Sequence, residues 1–499
     1  MTVTTPHPSA AFPPPPAFPP PPGPVFGPPL PPAPVSVVVR AAVAGLVAAL
    51  LVPGQRLGAG TVVAALVVAA AAPPGARVRT PYGAAFGAVG IGLLLMAVLR
   101  DASWLVPLCL LGALGCWSLL LSGASGWLGS LRGALVVAIG WLPASGWLGR
   151  ALPPLVAAER QKAAAPVVRG GLVAVALFVV FGTLFATADA AFGELAGRLV
   201  PSMPDLLPVR ILVLVAVALL VGAAARVASA RAVSSETTPY AGRALRPVEW
   251  VLPLVVLDLL FAAFVAVQLT VLFGGRTHVL STADLTYAQY ARQGFGQLVA
   301  TAVLTLGVIA VAARLVPRAP ANRRALRLLL GVLGALTLVV LASASRRLGL
   351  YEQEFGYTSL RLSVDGAISW LAVVLLLVGC ASLTRSSAWL PRAVALSAAL
   401  GLLVFAVADP DARIADRNVE RFESGGDLDE GYAMSLSADA VPALQRLPEP
   451  QRSCVLARLS VPARDSWLEA NLSRSRARAS LLERPAGTCS TGDLTRPSR

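Results

Sequence analysis

Ile211-Leu-Val-Leu-Val-Ala-Val-Ala-Leu-Leu-Val-Gly-Ala-Ala-Ala225 is an uninterrupted apolar run, and Leu371-Ala-Val-Val-Leu-Leu-Leu-Val-Gly-Cys380 is another. Each lies within a stretch close to the ~20 residues that a helix needs to cross the hydrocarbon core of a bilayer. In lipid every backbone N–H and C=O must be satisfied inside the segment, so runs of this kind read as helices. Working outward, similar windows fall at 36–52, 57–72, 82–99, 104–122, 169–188, 208–228, 247–273, 294–315, 326–345, 364–383 and 388–408. The stretch 125–158 is different, because Trp127, Trp141, Trp147, Arg132 and Arg150 interrupt its apolar pattern. Tryptophan favours the headgroup region, so an interfacial helix is preferred there over a twelfth span. The expected fold is all-α, a polytopic transmembrane helix bundle of about 11–12 spans with a small helical C-terminal extramembrane region.

Composition supports this. Of 499 residues, 56% are hydrophobic and 13% charged, where a soluble globular domain is about a quarter charged. The net charge of +15 raises the question of a nucleic-acid partner. From Asp409 onward there are 13 Arg against 14 Asp and Glu, which leaves 28 basic against 12 acidic residues for the rest. The excess therefore sits in and between the membrane segments, where it sets topology, and no nucleic-acid surface is expected. The loops 143–170, 226–247, 314–327 and 384–392 hold fifteen Lys and Arg, the alternate loops 189–210, 274–293 and 346–365 only seven. By the positive-inside rule the first set is cytoplasmic. This predicts a multi-pass protein of the cytoplasmic membrane with a cytoplasmic N-terminus and an extracytoplasmic C-terminal region.

Four segments follow. Residues 1–35 hold sixteen prolines and read as a disordered Pro-rich tail. Residues 36–408 form the multi-pass domain, 409–485 a small polar helical extracytoplasmic region, and 486–499 a flexible tail. In the third segment Cys454 and Cys489 either close a disulfide, worth ~3 to 4 kcal/mol in the chain-entropy model, or stay two thiols in a frayed end. The two histidines, His7 and His278, are far apart, there is no Cys-x-x-Cys, and the single lysine, Lys162, belongs to no phosphate-binding Gly-rich motif. No metal site and no cofactor is expected.

Candidate functional residues are few. Asp258 stands in the apolar run Leu254 to Phe261, and a carboxylate in a membrane helix is costly unless paired or hydrated. Helical spacing puts Asp258, Phe261, Val265, Gln268 and Leu272 on one stripe. The pair Asp258 and Gln268 is either a proton or cation site or a helix–helix hydrogen-bonding seam. Three polar segments on the outer side could supply a ligand site or an acid/base pair. The first runs from Asp284 to Phe295 with Tyr290 and Arg292. The second runs from Tyr351 to Leu362 with Glu352, Glu354, Tyr357 and Arg361. The third begins at Asp409-Pro410-Asp411 and passes Arg417-Asn418 and Glu420-Arg421 to Ser435-Leu436-Ser437-Ala438-Asp439-Ala440-Val441-Pro442. Interfacial tyrosines and snorkelling arginines account for much of the same pattern.

The runs Phe264 to Gln268, Leu272 to Gly275, Tyr287 to Phe295, Tyr351 to Arg361 and Leu436 to Leu444, in this order, resemble a bacterial membrane family, domain of unknown function 4173. The resemblance covers roughly residues 165–475 and implies an integral membrane protein without an assigned activity. Three functions are consistent with the residues. A cell-envelope scaffold or sensor ranks first, a secondary transporter using Asp258 second, and a membrane enzyme acting on an envelope or lipid-linked substrate third. The expected partners are the lipid bilayer and either an envelope protein or further copies of the chain.

Overall fold

The computed structural model describes residues 31–72, 78–151, 206–229, 246–273, 295–316, 320–384 and 386–487, with Cys489 and a few positions between 170 and 189. Among them all regular structure is helical. The membrane part comprises α1 (Val35–Leu51), α2 (Ala59–Ala71), α3 (Pro81–Leu99), α4 (Leu105–Ser122), α5 (Trp127–Ile139) and α6 (Trp141–Gly149). It continues with α7 (Leu207–Ser229), α8 (Pro247–Phe273), α9 (Phe295–Leu315), α10 (Pro320–Phe355), α11 (Ser359–Leu383) and α12 (Leu390–Val407). Eight of these helices are long and apolar enough to cross a membrane, and α1 and α2 are shorter apolar helices. The window at 169–188 lies mostly outside the described residues.

Local chemistry sets the helix ends. Thr80 caps α3 by accepting from Gly83 N at 3.1 Å, and Pro81 occupies its first position, where a missing N–H costs nothing. Gly123, left-handed at φ 57°, ends α4. Helix α10 departs most from the sequence expectation of 326–345. It runs 36 residues, ~54 Å, because Arg323, Arg324 and Arg327 before the apolar run and Arg346 to Phe355 after it are compatible with helix without being apolar. A hydropathy window sees only the part that lies in lipid.

The bundle has two halves. In one, α1 to α7 pack with α12 around Leu93, Leu105, Leu121, Val137 and Val221. Helices α1 and α7 approach so closely that a Cβ on Gly45 would stand 2.5 Å from the Leu214 carbonyl oxygen. In the other half, α8 to α11 pack around Phe261, Ala302, Leu333, Val340 and Leu371. The halves join where α11 meets α12, with Trp370 Nε1 donating to Ser397 Oγ at 3.2 Å. The pair α5–α6 is bent by 55°. Its start packs Gly133 against Ser122 and Ala124, and near its end Trp147 Nε1 donates to the Pro31 carbonyl at 2.7 Å. Both contacts lie at the same end of the bundle, so the pair does not run the bundle's length.

At the opposite end sits the C-terminal region. It contains α13 (Pro410–Glu423), α14 (Glu430–Met434), α15 (Val441–Leu444), α16 (Gln451–Arg458) and α17 (Leu472–Glu483), with 3-10 turns at Ala438–Ala440 and Trp467–Glu469. Ile414, Val419, Val441, Leu444, Val455 and Leu456 form its core, to which Tyr357 and Leu362 of the membrane part add. Cys454 and Cys489 are joined in a disulfide, Cα to Cα 4.8 Å.

Candidate functional site at the bundle and C-terminal region junction

The last four carbonyls of any helix lack partners within it. For α3 the C-terminal region supplies them. Asn471 Nδ2 donates to Ala97 O at 3.2 Å and Arg100 O at 2.8 Å, and Ser473 Oγ donates to Leu99 O at 2.9 Å. The same Asn471 caps α17, its Oδ1 accepting from Arg474 N at 3.1 Å. Arg474 follows directly and is 1% exposed. Its guanidinium pairs with Asp101 and, at 3.0 Å, with Asp465, and it donates to Leu57 O at 3.2 Å. The tip between α1 and α2 docks on the same segment, with Arg56 N donating to Glu469 Oε1 at 2.9 Å.

Beside this clamp lies a second cluster. Arg100 covers the C-terminal end of α12, where the helix dipole favours a cation, and its Nε donates to Ala406 O at 3.0 Å. Its Nη1 pairs with Asp409 and lies 3.7 Å from Asp439. Asp409 adopts φ 57°, a left-handed conformation uncommon for a residue with a Cβ, and caps α13. Asp439 has a fully buried side chain that accepts from Asp101 N at 2.8 Å, from Ser437 Oγ at 3.0 Å and from Ser473 Oγ. Asp411 accepts from Trp104 Nε1 at 3.0 Å and Ser437 N at 3.1 Å. Burial pushes the Asp409 carboxyl up to about 6, with the Asp439 charge adding to the effect and Arg100 opposing it. The Asp101 carboxyl is also raised, chiefly by burial, against the hydrogen bond and charge of Arg474. Above Asp409 and Asp439 opens a cavity of about 250 Å³, also lined by Asp416, Arg446, Ser473 and Arg476.

The residues singled out in the sequence fall into three groups. Tyr357, Arg361, Asn418 and Arg421 meet at the end of α10. Asn418 Oδ1 accepts from Tyr357 N at 2.7 Å while its Nδ2 donates to Tyr357 O at 3.0 Å. Arg421 donates to Gln353 O at 3.0 Å and Glu354 O at 2.6 Å, and Arg361 donates to Phe355 O at 3.0 Å while its guanidinium lies 4.4 Å above the Tyr351 ring. These side chains satisfy the orphan carbonyls of α10 and bind its end to α13. Arg417 pairs at the surface with Glu420, Glu354 is exposed and Glu352 is buried.

The second group is inside the bundle. Gln268 Oε1 accepts from Ser343 Oγ at 3.3 Å and Arg347 Nη2 at 3.0 Å, which joins α8 to α10. Asp258 is 8% exposed, lies on the stripe with buried Phe261 and Val265, and neither carboxyl oxygen has a hydrogen-bond partner among the described residues. Tyr290 and Arg292, the third group, lie outside the described residues. Among the described residues no three His, Cys, Asp or Glu side chains are grouped to hold a metal ion.

Sequence reasoning missed Arg100, Asp101, Asp465, Asn471 and Arg474. One signal was available, an Arg-Asp pair placed directly after the apolar run 82–99. Nothing in the sequence links that pair to Arg474.

A protein-family model for a domain of unknown function, DUF4153, matches residues 87–447, well over half of the chain. The chain belongs to that family. The number 4173 inferred from short motifs is thereby corrected, while membership of a family of unknown function stands. Those motifs lie between 264 and 444, inside the matched segment, and their apolar parts are the kind that many membrane helices share. The match also begins earlier than the expected 165, so it takes in α4 and about two thirds of α3, together with Arg100 and Asp101. No curated protein and no solved structure matches the chain.

Proposed function

We propose that this membrane protein is a cell-envelope scaffold or sensor whose C-terminal region is the working surface and whose bundle holds that surface in fixed register. The observation that carries this reading is the Arg474 clamp, in which a fully buried guanidinium joins α17 to the tip between α1 and α2 and to the end of α3. A tail that only followed the last span would need no such attachment, because a buried charge is tolerated only when fully paired. The arginine distribution supports a cytoplasmic membrane location with this region outside, where an envelope protein or another copy of the chain could meet it. In cells lacking the native gene, Arg474→Gln that reaches the membrane at normal level is expected not to restore the deletion phenotype, whereas Asp258→Asn restores it.

The opposite result would favour the second reading, permeation of protons or cations. That reading is supported by the carboxyl of Asp258 within α8, which has no hydrogen-bond partner among the described residues. An enzyme using Glu352 and Glu354 has less support, since one is buried in the bundle and the other exposed. Arg361 and Arg421, which meet the same end of α10, donate to backbone carbonyls.

A further inference from the structure

The loop that leads into α17 lies level with the ends of membrane helices. Asn471 and Ser473 donate to the carbonyls of Ala97 and Leu99 in the last turn of α3, a helix long and apolar enough to cross a membrane. Beside it, Ala59 N donates to Ala470 O at 3.2 Å, and a Cβ on Gly60, in the first turn of α2, would stand 3.1 Å from Leu468 Cδ2. Residues 468–473 therefore sit at the boundary where these apolar helices begin and end. The apolar side chains of the loop do not all turn inward. Trp467 is 68% exposed and Leu472 38%, and Ala463 and Ala470 are exposed with them. Leu50 and Val63, one on each side of the α1–α2 tip on which the loop is docked, are exposed too, as lipid-facing residues are. The charge left at the surface is basic. Arg56 at the tip and Arg464, three residues before Trp467, are exposed, whereas Asp465 pairs with Arg474 and Arg478 and Glu469 accepts from Arg56 N and Ser466 N.

We infer that residues 463–472 are inserted in the headgroup layer of the bilayer, with Trp467 and Leu472 as apolar anchors and Arg56 and Arg464 on the phosphates of anionic lipids. An indole has an apolar body and one N–H donor, so it is most stable where hydrocarbon meets water. The occupant of this surface is lipid because the loop is docked on the first turn of α2 and the last turn of α3, at the depth where headgroups surround those helices. Guanidiniums bind phosphate through paired hydrogen bonds, and the hold of an interfacial segment grows with its apolar area and with its attraction to anionic lipid. The C-terminal region is then fastened twice, to the bundle through Arg474 and to the bilayer through this loop, and its seating responds to the charge of the surrounding lipid. This goes beyond the scaffold or sensor reading and does not depend on it. It requires only that α2 and α3 lie in the membrane.

The test uses the full chain carrying Cys380→Ser, which leaves Cys109 and Cys116 buried and Cys454 joined to Cys489. A bimane fluorophore is attached at Trp467→Cys, Leu472→Cys or Leu482→Cys, and the protein is placed in phosphatidylcholine nanodiscs containing a lipid with a nitroxide on its headgroup. Leu482 is the control, being 82% exposed and near the end of α17 that Gln445 holds to the C-terminal region through Ser480 O at 3.1 Å. The nitroxide lipid is expected to quench labels at 467 and 472 several-fold more than the label at 482, and aqueous iodide to quench them several-fold less. Two exposed positions are used, so a misfolded variant at one leaves the other to decide. Replacing half of the phosphatidylcholine with phosphatidylglycerol is expected to raise lipid quenching at 472 further, and Arg464→Gln to remove that rise. Lipid quenching at 467 and 472 no greater than at 482 overturns the insertion. Equal quenching at 472 with and without phosphatidylglycerol overturns the pairing with anionic lipid.

Discussion

Replacing Arg474 with glutamine removes a 1% exposed guanidinium from Asp101 and Asp465, whose side chains are 20% and 5% exposed. Asp101 then stays in a poorly hydrated site without its cation, while Asp465 keeps Arg478 at 2.8 Å. Breaking a buried pair from one side costs ~3–5 kcal/mol, because the partner is left charged and unpaired. The Leu57 and Glu469 carbonyls also lose a donor, so the upper half of that range applies. Four kcal/mol is close to a thousandfold in the equilibrium for opening of α17, at about 1.4 kcal/mol per factor of ten. Hydrogen exchange on the full chain in nanodiscs reads this directly. Amides of residues 472–483 are expected to lose two to three orders of magnitude of protection, while those of 109–121 in α4 hold. Arg417→Ala is the control, since its pair with Glu420 is more than half exposed and worth ~0–1 kcal/mol. A loss under tenfold at 472–483 would show that the clamp does not hold the region, and the argument from burial and charge would fail.

Three further outcomes follow from the structure. The Asp409 carboxyl is raised to about 6 from an ordinary 3.8, so its folded form holds a proton more tightly. Its contribution to docking is complete below pH ~4 and is lost as pH rises through 6, by up to ~1.4 kcal/mol per pH unit. Asp409→Asn is expected to flatten that part of the pH profile of exchange at 472–483. The charges that set it are Asp439, Arg100 and Asp411 around the carboxyl, with Asp416, Arg446 and Arg476 further out. Gly45→Val is expected to lower thermal stability in detergent by ~1–3 kcal/mol, since its Cβ meets the rigid Leu214 backbone. Cys454→Ser is expected to cost ~4 kcal/mol in the chain-entropy model for a loop with ends 35 residues apart, read by proteolysis of residues 451–487. A rate equal to that of the parent chain would show that the loop is held by other contacts.

Apolar runs made the bundle legible, since a lipid-facing helix announces itself over twenty residues wherever it packs. Ten of the eleven windows coincide with described helices, α1 to α4 and α7 to α12. Where polar residues continue a helix, as at both ends of α10, hydropathy stops short. The clasp at 351–362 and 417–421 was visible as unusual polar segments, but not that its arginines would serve backbone carbonyls. That outcome depends on two helix ends meeting in space. The Arg474 clamp was invisible for the same reason, as its partners Asp101 and Leu57 lie 373 and 417 residues away.

That separation bears on how the protein is made. The clamp joins residues near the start of the membrane part to residues near the end of the C-terminal region, so it cannot close until synthesis has passed Arg474. Until then Asp101 waits at the end of α3 without its cation. A chain stopped short of α17 would carry this lone carboxylate beside uncapped carbonyls at 97, 99 and 100. The junction is therefore completed only by α17, however early the helices that carry its other half have formed.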